Sequence, residues 1–241
     1  MDLGIFLELN ADGDSTWWQS LASGLGWTLS TAILAALIAF FLGSVLGVVR
    51  TTRRTWLVRL GNAYVEVFRN IPLIVQFFVW YFVVPGLVPA VKKWVITLDP
   101  TDHQFATAVV CLGLFTAARV SEQVRSGIQS LPSGQRSAGY ALGLTEAQTY
   151  RYVLLPMAYR IVIPPLTSET MNLIKNTAVA YSIGLAELFF RTREMGEMTF
   201  RYFEAFAAAT LAYVAIAMAA NRAMAWVERR VAVPGYIGGG K

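Results

Sequence analysis

The sequence predicts an all-α membrane protein of about five transmembrane helices, forming one domain over residues 1–241. Three observations predict it. The chain is 56% hydrophobic and 15% charged, where soluble domains carry about 25% charged residues, and its mean hydropathy is +0.50. No charged residue occurs from Ser15 to Val49, a run well beyond the roughly 20 apolar residues that cross a hydrocarbon core. The Lys and Arg residues cluster between apolar runs, so the net charge of +5 reads as a topology signal and not as affinity for nucleic acid.

The first span is placed near Leu25–Val49 and the second near Asn62–Val84, with Glu66 and Arg69 in its first turns. "VVPGLVP" breaks the helix with Pro85 and Pro89. A third, short span runs about Gln104–Ala118, and the polar segment Ser121–Arg151 follows. The fourth, about Ile161–Gly184, is the least hydrophobic; it holds Pro164, Pro165, Glu169, Asn172, Lys175 and Asn176. The charged stretch "ELFFRTREMGEMTFRYFE" precedes the fifth span, about Ala205–Ala225.

Orientation follows from Lys and Arg. The first loop holds Arg50, Arg53, Arg54 and Arg59 with no acid, and the third holds Arg119, Arg125, Arg136 and Arg151 against Glu122 and Glu146. The tail holds Arg222, Arg229, Arg230 and Lys241 against Glu228. The alternation places the N-terminus outside and the C-terminus in the cytoplasm. The acidic N-terminus lacks the basic region of a cleavable signal peptide. Cys111 is alone, so no internal disulfide forms.

The polar segment between the third and fourth spans carries helix punctuation. Ser130 or Ser133 can cap a short helix ending near Leu142. Gly143 stands where a left-handed residue is wanted, followed by the apolar Leu144. Thr145 to Gln148 is a capping box that opens a second helix, which Pro156 kinks or ends. This helix–Gly–helix corner brings Ala138, Tyr140, Ala141, Leu142 and Leu144 close together as an apolar knob on the cytoplasmic face. From the local pattern alone, two readings stand: an amphipathic hairpin on the lipid headgroups, or a plug for a partner's groove.

"GQRSAGYALGLTEAQTYRYVLLPMAYRIVIPPL" (Gly134–Leu166) resembles the coupling-loop motif of permease subunits of ATP-binding-cassette importers. "VEVFRNIPLIVQFFVWYF" (Val65–Phe82), "AARVSEQVRSGIQSLPSGQ" (Ala117–Gln135) and "LIKNTAVAYSIGLAEL" (Leu173–Leu188) are similar to its polar amino acid branch. The wording comes nearest to the glutamate/aspartate importers, and the likeness covers nearly the whole chain, thinning in the loops and over residues 1–20. The resemblance implies a type I importer permease fold. It implies that Ser137, Ala138, Gly139, Ala141, Leu142, Gly143, Leu144 and Thr145 couple the chain to an ATPase. The implied partners are two ATPase subunits, a second permease subunit in a heterodimer or homodimer, a periplasmic amino acid-binding protein and membrane lipid. Two positions depart from the family pattern: Ser137 replaces the usual Glu, and Gly139 the usual Ala. Ser137 cannot make the charged contact of a Glu, as fits one half of a heterodimer.

The residues themselves point to no enzyme. No Gly-x-x-x-x-Gly-Lys-Ser/Thr segment occurs; "GGGK" at Gly238–Lys241 has nothing after it. Its nucleotide chemistry is therefore expected elsewhere: the chain binds no cofactor, and ATP with magnesium sits on a partner. His103 is the only histidine, so no His-based metal site is expected, and no nucleophile is paired with a local base. Charges inside a bilayer are costly, so intramembrane polar groups mark function. Arg69 and Asn70 in the second span, and Glu169, Asn172, Lys175, Asn176 and Thr177 in the fourth, are the substrate-path candidates. Glu66 lies three residues before Arg69 and can pair with it, and a pair near the cytoplasmic interface with Arg69 snorkelling is the leading reading against a path role there. Pro164-Pro165 is expected to break the helix below the fourth-span group. For the fourth-span group, a structural network and a substrate path stand as equal readings. Lys175 and Arg69 could balance an extra carboxylate. The alternative class, a self-sufficient proton-coupled carrier using Glu169 or Glu66, would want an inverted repeat that one five-span chain does not supply.

Overall fold

The computed structural model describes residues 3–10 and 13–231. Apart from one isolated bridge between Leu9 and Thr16, the regular structure among the described residues is helical. The α-helices are α1 (Trp17–Val49), α2 (Thr55–Asn70), α3 (Leu73–Phe78), α4 (Val84–Leu87), α5 (Pro89–Val95) and α6 (Pro100–Gln129). Then come α7 (Ser133–Ala141), α8 (Glu146–Thr149), α9 (Leu155–Asn176), α10 (Leu188–Thr199) and α11 (Tyr202–Val231). Segments Val79–Val83 and Tyr150–Leu154 are π-helical turns, and Leu3–Leu7 and Thr177–Ile183 are 3-10 turns. Gly238–Lys241 lies outside the described residues.

Among the described residues, three helices are long and apolar enough to cross a membrane: α1, α6 and α11. A fourth candidate is α2 together with Leu73–Leu87, bent by 105° at the break between them. The second predicted span is therefore not one straight helix. Pro72 lacks an N–H and disfavours the α region for Ile71, and α2 ends at Asn70. The fourth predicted span is not among these candidates: α9 ends at Asn176, Thr177–Ile183 is a 3-10 turn, and Glu169, Asn172, Lys175 and Asn176 dilute the apolar content of the helix. Pro164 and Pro165 do not break it: the helix runs through both. Pro156 does not end a helix either. The helix is continuous through it, and the π-helical turn Tyr150–Leu154 immediately before it marks the local break in the regular hydrogen-bond ladder.

The chain divides into two compact units. One comprises Met1–Leu37, Ile71–Leu114 and Asn172–Ala219. Its core gathers Ile5, Trp17, Leu21, Leu188, Met195 and Ala205. Trp27 meets Phe105 edge-on at 5.1 Å, tying α1 to α6, and His103 stacks on Tyr81 at 4.3 Å.

The other unit comprises Ile38–Asn70, Phe115–Met171 and Ala220–Lys241. Its core runs from Val120, Val124 and Ile128 of α6 to Tyr150, Leu154, Ala158, Val162 and Leu166. Gly43 and Gly47, one turn apart on α1, let its backbone approach α6. A Cβ on either would come within 2.6 Å of the Val120 or Val124 Cβ. Phe41 and Val45 of α1 stay exposed, which suits a face against lipid tails. Gly47→Leu is expected to lower stability by about 1–3 kcal/mol through overpacking, read as a lower midpoint of thermal unfolding in detergent.

Candidate functional site

The corner between α7 and α8 is built from local hydrogen bonds. Gly143 adopts φ +76°. The Leu144 N–H donates to the Gly139 carbonyl at 3.1 Å and the Gly143 N–H to Tyr140 at 2.9 Å, which closes a Schellman motif. Thr145 then caps α8: its Oγ1 accepts from the Gln148 N–H at 3.3 Å, and its own N–H donates to Gln148 Oε1 at 2.8 Å. Both devices were legible in the sequence. The serine cap was not right. Pro132 occupies the N-cap of α7 with no side-chain bond, and Ser133 is its first helical residue.

The corner leaves its apolar tip uncovered. Leu142 is 79% exposed, and Ser137, Ala138, Ala141, Gly143 and Thr145 are exposed as well, with Leu144 half-buried. The Ser137 hydroxyl donates only to the Ser133 carbonyl, at 3.4 Å. Gly139 alone of the predicted coupling residues is buried, against Thr149 of α8. A Cβ there would lie 2.8 Å from Thr149 Cγ2. The absence of a side chain at Gly139 is thus matched to Thr149.

A polar cavity of about 420 Å³ opens in the same unit, lined by Arg50, Asn62, Val65, Glu66, Arg69, Asn70, Glu122 and Arg125. Its hub is Arg50, only 6% exposed. Arg50 donates from Nε to Asn62 at 2.8 Å, from Nη1 to Ser121 at 3.1 Å and from Nη2 to Glu122 at 2.7 Å. Arg69 approaches Glu122 at 3.6 Å and Arg125 does so at 3.5 Å. The ion partner of Arg69 is therefore Glu122 of α6, and not Glu66 as the spacing on α2 suggested. Three guanidinium groups against two carboxylates leave the cavity with net positive charge. The sequence reading brought Arg69 and Asn70 here but took Arg50 and Glu122 only as flanking charges. One signal pointed to Arg50: it directly follows the charge-free run.

Glu169 is buried within this unit, with Oε2 3.9 Å from Arg119 Nη1 and no hydrogen bond to that oxygen. Asn172, Lys175, Asn176 and Thr177 belong to the other unit. There Lys175 is exposed and Asn172 and Asn176 are half-buried. Thr177 is buried, and its hydroxyl donates to the Ile174 carbonyl at 2.7 Å.

The sequence reading also passed over Glu187 in that unit, taking it for part of a charged loop. Its side chain is fully buried. It caps α10, accepting from the Phe189 and Phe190 N–H groups at 3.0 and 2.8 Å and from the Tyr213 hydroxyl at 3.2 Å. The Thr28 hydroxyl lies 3.5 Å away and accepts from the Leu188 N–H. Burial pushes the Glu187 carboxyl up to about 7, against the pull of these donors. A carboxyl raised in the folded state gives its full stability below its unfolded value of about 4.5 and loses it as pH rises through about 7. Between about pH 5 and pH 8 the wild type is expected to lose up to about 3 kcal/mol that Glu187→Gln does not lose, read as a pH-dependent difference in thermal midpoint.

Residues 39–233 match the family model described as the binding-protein-dependent transport system inner membrane component. The chain belongs to that family. As an inner-membrane permease of this kind, it is similar to the glutamate/aspartate import permease protein GltJ of Escherichia coli strain K12. The two are 49% identical over 238 residues, covering 98% of this chain and 97% of that protein. It is 33% identical over 213 residues to GltK, the glutamate/aspartate import permease protein of Escherichia coli O6:H1, covering 88% and 93%. A crystal structure of an amino acid ABC transporter superposes with a TM-score of 0.74 at 27% identity, over 89% of this chain and 95% of that one. The inward-facing MetNI methionine transporter shares the fold, with a TM-score of 0.73 at 22% identity. The permease is thus a multi-pass, all-α subunit of a binding-protein-dependent ABC importer, a subunit type that is not itself an enzyme. Among the described residues, no cluster of three or more His, Cys, Asp or Glu could hold a metal ion.

Proposed function

We propose that this permease carries acidic L-amino acids, glutamate and aspartate, through the inner membrane, driven by ATP hydrolysed on separate subunits. The single observation that carries the coupling is the α7–α8 corner: a rigid turn, closed by its own hydrogen bonds, that presents Leu142 with nothing over it. Two ATPase subunits dock on residues 130–155, at Ser137, Ala138, Gly139, Ala141, Leu142, Gly143, Leu144 and Thr145. The N-terminus is periplasmic and the C-terminus cytoplasmic. A periplasmic binding protein delivers the amino acid.

The relatives named GltJ and GltK support a second permease as partner, in a heterodimer, and support the acidic substrate. The excess of guanidinium groups around Arg69 and Asn70 suits a substrate with one carboxylate more than a neutral amino acid. Glu169, Asn172, Lys175, Asn176 and Thr177 are proposed to line the path elsewhere along it. Closure of the ATPases on ATP moves the corner, and the differential contacts of the two states shift the pore from inward- to outward-open. The test is uptake into proteoliposomes holding the purified importer and its binding protein. Labelled glutamate and aspartate should enter with ATP inside, and glutamine and asparagine at least about ten-fold more slowly. Equal rates for the amides would refute the acidic assignment.

A further inference from the structure

We infer that Tyr150 is the positioning residue that transmits movement of the α7–α8 corner to the α1–α2 joint and, through it, to the Arg50 cavity. The inference rests on the docking of an ATPase at that corner. Tyr150 lies at the start of the π-helical turn Tyr150–Leu154, where α8 leads into α9. Such a turn inserts one extra residue into the helix and re-aims the side chains around it.

The ring is buried in the core and its hydroxyl is fully engaged. It donates to the Thr51 carbonyl at 2.7 Å and accepts from Arg136 Nη2 at 3.2 Å. Thr51 Oγ1 lies 3.0 Å from it and donates to the Val48 carbonyl. Arg136 comes from α7, and its guanidinium also sits 5.4 Å above the Tyr150 ring. Thr51 is in the link that joins α1 to α2, next in the chain to Arg50, the hub of the polar cavity. One hydroxyl thus joins the helix beside the exposed corner to the backbone that carries Arg50. A phenyl ring would fill the same space and lack only this connection. Ordinary packing would not need the hydroxyl to reach the carbonyl of that particular link.

The experiment compares wild type, Tyr150→Phe and Arg136→Met in the complete importer, reconstituted with its liganded binding protein. ATP hydrolysis and amino acid uptake are measured on the same vesicles. In Tyr150→Phe, hydrolysis is expected to stay within about two-fold while amino acid moved per ATP falls at least about five-fold, the scale of one buried hydrogen bond. Arg136→Met, which leaves the Thr51 bond in place, should lower the ratio about two-fold. A purely structural role would reduce assembled complex, hydrolysis and uptake together and leave the ratio unchanged; an unchanged ratio in Tyr150→Phe overturns the inference. If that variant does not assemble, Arg136→Met decides, and an unchanged ratio there overturns it. A wild-type chain that carries no ATPase subunit would instead overturn the docking reading beneath it.

Discussion

In an importer carrying Gly143→Val, uptake is expected to fall at least about ten-fold while the permease still inserts and pairs with its partner subunit. Gly143 holds φ +76° with nothing within 4 Å of where a Cβ would stand. The penalty is therefore backbone strain and not a clash. A side chain in the left-handed region costs about 1–2 kcal/mol, and more when β-branched. The Schellman bonds from Leu144 and Gly143 depend on that conformation, so relief of the strain would unmake the turn and displace Leu142. Gly143→Asn tolerates a positive φ and should keep at least about a third of the uptake. Gly143→Asp keeps the tolerance but places a negative charge on the exposed tip, and should lose uptake as the Val variant does. Uptake per assembled complex for the three variants separates backbone from charge. Full activity in the Val variant would show that the corner is not the coupling element.

Arg50→Met is expected to destabilise the permease by about 3 kcal/mol. The change removes a buried guanidinium from Glu122, Asn62 and Ser121 at once. It also packs a flexible chain where Gly61 leaves room for the Arg50 stem. The cost lies at the lower end for a broken buried pair, because the Glu122 side chain is 28% exposed and keeps Arg69 and Arg125. Arg125→Met serves as the contrast. That side chain is 36% exposed in an i,i+3 pair, and its loss should cost under about 1 kcal/mol. Thermal unfolding in detergent reads both. Equal effects would show that Arg50 is only one more surface charge.

The features that were legible in the sequence are local ones. A charge-free run announces α1, and Gly143 followed by Thr145-x-x-Gln148 announces a corner, because each device acts over four or five residues. What escaped depends on direction or on distant partners. Hydropathy sums along the chain and cannot see that Pro72 turns it through 105°. Prolines read as breaks at 156, 164 and 165 sit inside one helix, since the environment of a helix decides whether a missing donor matters. Arg50 and Glu122 are 72 residues apart, and nothing in either neighbourhood names the other. Glu187 shows the same limit: one burial state cannot be told from another in a run of mixed charge.

The central claim is that this chain works as the membrane half of an ATP-driven machine. The most direct measurement is to isolate the tagged permease from its native membrane in mild detergent and identify the co-purifying subunits by mass spectrometry. A Walker-type ATPase and a second, related permease are expected, with the ATPase lost and the second permease kept when residues 137–145 are replaced by a flexible Gly/Ser linker. A chain recovered without any ATPase that still transports a labelled amino acid under a proton gradient would contradict the account.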